Sequence, residues 1–203
     1  MRMMIDDESR DAITEMINIG VGRAAGILNE ITGSNIKLRV PDLHIIRFGE
    51  LLDTPRFLPG SEDLSTVMQE YHGKFSGTTS LAFPADSAAS LVKLLSGEDG
   101  SSPDMDAVQV ETLKEVGNII INAVMGSISN VLGEDLTFTL PVYCEGNLTE
   151  IASTRHTLKP DDWVVLAQTQ FMIESMSIEG MILLVLEVGS LDRLVESIRH
   201  QHP

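Results

Sequence analysis

The 203-residue sequence predicts an α/β (α+β) protein of two pseudo-symmetric, duplicated halves, in which a largely antiparallel sheet is covered by two long helices. Two observations lead to this. First, Asp11, Glu15, Asn18, Gly26, Gly33 and Pro41 recur, at a constant offset of 100, as Glu111, Glu115, Asn118, Gly126, Gly133 and Pro141. Second, each copy passes through the same order of patterns: a long apolar period of three and four residues, a short strand, a strand pair and a closing helix. The repeat is far longer than the roughly 20 to 50 residues of solenoid units. It therefore implies a single domain over 1–203, with halves of about 1–100 and 101–203.

The elements follow in order. From Asp7 to Thr32, Ile13, Met16, Ile17, Ala24, Ile27, Leu28 and Ile31 mark an amphipathic helix, with Ser9 as N-cap and Gly33 as C-cap. The alternation in NIKLRV predicts a strand at 35–40 that Pro41 ends, since proline has no N–H to give a ladder. Residues 42–63, broken by Pro55, Pro59 and Gly60, read as loop with a turn of helix. A hairpin is expected from Ser65–His72 and Thr79–Phe83 around Gly73 and Gly77, then a helix over 85–95. GEDGSSPD at 97–104 is the candidate linker. The second half predicts a helix at 105–132, a strand at 136–140 before Pro141, strands at 162–171 and 181–188, and a helix at 190–200.

Bulk properties exclude several classes. Fourteen Lys and Arg against thirty Asp and Glu give a net charge of −16, which disfavours nucleic acid and anionic lipid as partners. Cys144 is the one cysteine, so neither an internal disulfide nor a thiolate metal cluster can form. A reducing cytoplasm is the expected location. The opening MRMMIDDESRD lacks the apolar core of a signal peptide, and no stretch approaches the length of a membrane span. His44, His72 and His156 lack metal-site spacing, and no metal is assigned to the chain.

The repeated helices carry a polar stripe. At about 100° per residue, Asp11, Glu15 and Asn18 fall within about 60° of one another, opposite Ile13, Ile17, Ala24 and Ile31. Glu111, Glu115 and Asn118 have the same relation to Leu113, Val116, Ile120, Val124 and Val131. Both halves thus turn an acid and an amide outward, one helical turn apart. An outward Glu or Asn is ordinary on a solvated face, but two copies at identical spacing are not explained by core packing. Gly22, Ala25, Gly26 and Asn29 continue the first stripe, and Asn122, Met125, Gly126 and Ser129 the second. Glycine inside a helix costs about 1 kcal/mol relative to alanine. Its presence on an outward face suits close approach of another polypeptide.

The pattern D/S-x-x-x-E-x-x-N, with proline after a further twenty-two residues, resembles the signature of the CheC, CheX and FliY chemotaxis phosphatases. The strings NIGVGRAAGILNEITG and EVGNIIINAVMGSISNVLG are similar to the two CheC helices. Glu111 departs from the Asp or Ser of the pattern. Two motifs in a short chain resemble CheC more than CheX, which keeps one motif, or FliY, which adds a flagellar-switch domain.

The resemblance implies hydrolysis of the aspartyl phosphate on a CheY-like receiver, whose own Mg²⁺ and lysine already hold the phosphoryl group. The phosphatase must then place a water in line, a task for which an amide is suited. By this resemblance Asn18 and Asn118 position water, and Glu15 and Glu115 pair with the receiver lysine. Asp11, Gly22, Gly26, Glu111 and Gly126 form the docking surface. No cofactor of the chain itself is implied. A CheD-like deamidase is a further partner the resemblance allows. The alternatives are an adaptor that binds receivers or CheD with little turnover, and a structural piece of the flagellar switch. The first site is expected to be the more active, because Glu111, Asn122 and Met125 crowd the second.

Overall fold

A computed structural model describes residues 6–52, 63–73, 76–96, 105–147, 150–151, 160–173, 176–186 and 190–201. The elements are α1 (Asp7–Thr32), β1 (Ile36–Arg47), α2 (Phe48–Leu52), β2 (Leu64–His72), β3 (Gly77–Pro84), α3 (Ala85–Ser96), α4 (Met105–Leu132), β4 (Thr137–Phe138), β5 (Val142–Gly146), β6 (Trp163–Ile173), β7 (Met176–Leu186) and α5 (Ser190–Gln201). The expected linker at 97–104 lies outside the described residues. None of the described helices is long and apolar enough to cross a membrane.

Among the described residues the sheet has seven strands in the order β1-β6-β7-β3-β2-β4, with β5 also paired to β2, and every pairing is antiparallel. Strands cross between the two halves of the sequence. β1 pairs with β6, and β5 pairs with β2, so each half is completed by a strand of the other. The registers match as well: Leu43 opposes Ala167 in one pair, and Val67 opposes Tyr143 in the other. β3 and β7 join the two halves at the centre of the sheet.

Strand alternation divides the core. On one face Val67, Leu81, Phe83, Phe171, Ile182 and Leu184 pack with the inward residues of α1 and α4. On the other, Leu64, Met68, Leu166 and Leu183 pack with Phe48 and Leu51 of α2. The two long helices also pack on one another, with a tight contact at Gly20. A Cβ there would lie 2.4 Å from Val124 Cα and 2.9 Å from the Ala123 carbonyl oxygen. Only glycine fits.

Several sequence expectations need correction. The N-cap of α1 is Asp6, not Ser9: its backbone is extended, and its Oδ1 accepts from the Ser9 N–H at 2.8 Å. Its carboxylate also faces the positive end of the helix. Ser9 itself is buried within the first turn. Gly33 does cap the C-terminus, at φ 66.

Pro41 does not end its strand; β1 runs on to Arg47 through a register shift between Arg39 and Asp42. A bulge tolerates a residue without an N–H, and it moves the buried positions from Ile36 and Val40 to Leu43. In the second half the 136–140 strand shrinks to Thr137–Phe138, and pairing resumes after Pro141 as β5, which the alternation did not indicate. Ile31 has the inward phase but is 62% exposed at the last turn of α1, outside both buried clusters.

The glycines of α1 allow a direct test. Gly20→Ala should destabilise the fold by about 2 kcal/mol or more through overpacking against α4. Gly22→Ala and Gly26→Ala, where a Cβ would meet nothing within 4 Å, should instead be stabilising by about 0.5 to 1 kcal/mol. Urea unfolding of the three variants measures both.

Candidate functional site

The inward period of α1 buries Ile13, Met16, Ile17, Val21, Ala24 and Leu28. This leaves Asp11 and Glu15 exposed and Asn18 half-buried at the edge of the outward face. The same construction on α4 buries Leu113, Val116, Ile120 and Val124, exposes Glu111 and Glu115, and leaves Asn118 half-buried. Because both helices lie on one face of the sheet and touch each other, the two acid and amide pairs belong to one side of the molecule.

The small-residue strip is narrower than its spacing suggested. Gly22 and Gly26 are exposed with open space above them, and Gly126 is half-buried with open space as well. Ala25, however, is 8% exposed and Met125 fully buried, so both belong to the core. Met125 therefore does not crowd the second site. Helix positions at the margin of a stripe are assigned to core or solvent by the neighbouring element, and here α1 and α4 cover each other's margins.

What does occupy the second site is a set of hydrogen bonds. Asn118 Oδ1 accepts from Asn122 Nδ2 at 2.8 Å and from Gln69 Nε2 at 3.2 Å. Gln69, on β2, is 3% exposed and also donates to the Thr139 carbonyl oxygen at 3.0 Å. Glu111 Oε1 pairs with Lys114 Nζ at 2.9 Å. In the first site position 22 is glycine, and the strand counterpart of Gln69 is Thr169, whose hydroxyl donates to the Ala167 carbonyl oxygen at 3.3 Å. Among the described residues the Asn18 side chain has no hydrogen-bond partner. Gln69 was not legible as a site residue. It sits in a strand far from the motif, and only the pairing of β2 with β4 and β5 carries it there.

No group of three or more His, Cys, Asp or Glu among the described residues is placed to hold a metal ion. His44 instead lies 2.8 Å from Asp42 on the same strand, and His72 lies 3.7 Å from Glu70. His156 is outside the described residues.

Residues 65–159 match the family model described as chemotaxis phosphatase CheX, a segment that contains Glu111, Glu115 and Asn118. The CheY-P phosphatase CheC of Bacillus subtilis is 24% identical over 141 residues, 68% of this chain and 66% of that protein. Over these stretches the chain is similar to the CheC and CheX phosphatases. The flagellar motor switch phosphatase FliY of Bacillus subtilis is 23% identical over 175 residues, 84% of this chain. The chain spans under half of that FliY, 44% of its length.

Solved structures share the fold. Thermotoga maritima FliY has a TM-score of 0.78 at 20% identity, covering 98% of this chain and 100% of the other. The FliM middle domain from H. pylori gives 0.64 at 13% identity, covering 95% and 99%. A chain of the CheX-CheY-BeF3-Mg+2 complex from Borrelia burgdorferi gives 0.55 at 15% identity, covering 86% and 99%.

Proposed function

We propose that this protein hydrolyses the aspartyl phosphate of a CheY-like response regulator, by docking the helical face that carries the two acid and amide pairs. The observation that carries this reading is the repeated outward Glu and Asn, one turn apart, on two helices of the same face. The CheY-P phosphatase CheC among its relatives, and the CheX-CheY complex among the structures of like fold, support it.

Asn18 would hold the attacking water through its side-chain oxygen while its amide N–H₂ donates to a phosphoryl oxygen. Glu15, one turn earlier on the same face, would take the receiver lysine. The open space over Gly22 and Gly26 leaves room for the receiver backbone to approach the helix. Glu115, Asn118 and Gly126 repeat these parts on α4, with Asp11 and Glu111 at the N-terminal edges of the two surfaces. The Mg²⁺ of the reaction belongs to the receiver. No general base is needed from this chain, because the phosphoryl transition state demands position and charge balance more than proton abstraction.

A second reading keeps the surface and drops the chemistry. In it the same surface binds receivers, or a CheD-like protein, as a cytoplasmic adaptor without turnover.

The decay of a phosphorylated CheY-type receiver separates the two readings. Replacing Asn18 and Asn118 together by Ala should slow the catalysed decay by about a hundredfold or more. A double variant as fast as wild type would eliminate the phosphatase reading. Replacing Glu15 and Glu115 by Gln should instead raise KM for the phosphorylated receiver by about tenfold or more, through loss of the charge-assisted contact, with a smaller change in kcat.

A further inference from the structure

We propose that Gln69 and Asn122 are positioning residues that latch the Asn118 amide, so that the second site docks a phosphorylated receiver but turns it over slowly while Asn18 carries the hydrolysis. This rests on the phosphatase reading above. An amide oxygen has two lone pairs. Both are taken at Asn118, by Asn122 Nδ2 at 2.8 Å and Gln69 Nε2 at 3.2 Å. An oxygen so engaged must give up a partner before it can accept from the attacking water.

The orientation of the latch is set by a group that cannot turn over. The Thr139 carbonyl oxygen, 3.0 Å from Gln69 Nε2, can only accept. The Gln69 N–H₂ must therefore face it, and the neighbouring Asn118 must offer oxygen rather than nitrogen. Rotating the Gln69 amide would set its oxygen against two acceptors. The structure keeps the present orientation even though Gln69 Oε1 is buried with no hydrogen-bond partner among the described residues.

The first site lacks both parts of the latch. In the repeat Gly22 stands where Asn122 stands, and Thr169 where Gln69 stands, on strands whose registers also correspond, Val67 opposing Tyr143 just as Ala167 opposes Leu43. Thr169 is two heavy atoms shorter than glutamine and spends its hydroxyl on the Ala167 carbonyl. The asymmetry between the sites is thus chemical rather than steric.

The test follows the decay of a CheY-type receiver phosphorylated from radiolabelled ATP by its kinase, with receiver binding measured in parallel. Asn18→Ala should lose about tenfold while still binding receiver, a larger loss than Asn118→Ala shows. Adding Asn122→Ala to Asn18→Ala should recover severalfold, and Gln69→Thr should recover more. Conversely, Gly22→Asn in the Asn118→Ala background should slow the remaining site, where the space for an asparagine is open.

The proposal falls if Asn18→Ala keeps half or more of the wild-type rate. It also falls if unlatching leaves Asn18→Ala unchanged or slower. Asn122 is exposed, so its variant decides the matter even if Gln69→Thr unfolds. A wild-type protein without activity overturns the phosphatase reading and the latch together. An active wild type with an indifferent Asn18 overturns only the latch.

Discussion

The approach of α1 to α4 at Gly20 sets the rest of the molecule in place. A side chain there would drive into the Val124 backbone, so the contact exists only because position 20 has none. With the helices in contact, their inward residues share one buried cluster with the sheet, and their outward stripes come to lie on one side. The exchange of β1 and β5 between halves serves the same end, since neither half has a complete sheet edge alone. A duplicated sequence has become an interlocked body.

That interlocking also makes the two copies differ. The α4 stripe is set against β2 from the first half, whereas α1 packs mainly on β1 of its own half. Residues that never adjoin the motif in sequence therefore become its surroundings. Gln69 beside Asn118, and Thr169 at the matching place of the first copy, are a small change in strand composition. The result is one amide with its oxygen taken and one with no partner among the described residues. In the proposed hydrolysis, which asks mainly for a well-placed acceptor, this difference would separate the two sites.

Legibility tracked the range of the interaction that decided each feature. The helices, the hairpin and the outward Asp11, Glu15 and Asn18 were legible because side-chain period and backbone geometry are local. The N-cap was misplaced by three residues because Asp6 and Ser9 are both good cap residues, and burial of Ser9 decided between them. Pro41 looked like a terminus, since the bulge that admits it is visible only against the register of β6. VYCEG is a weak strand by composition and becomes β5 only because β2 supplies its ladder.

By itself the sequence determined the duplication, the two long helices, the mixed class with an antiparallel sheet, and the outward turn of Asp11, Glu15, Glu111 and Glu115. Only the tertiary structure decided that Ala25 and Met125 are core, that Gly20 rather than Gly22 or Gly26 is the close-packed glycine, and that Gln69 meets Asn118. The reason is physical. Periodicity specifies the direction of a side chain from its own axis, whereas what it meets there depends on strands and helices paired across long stretches of chain.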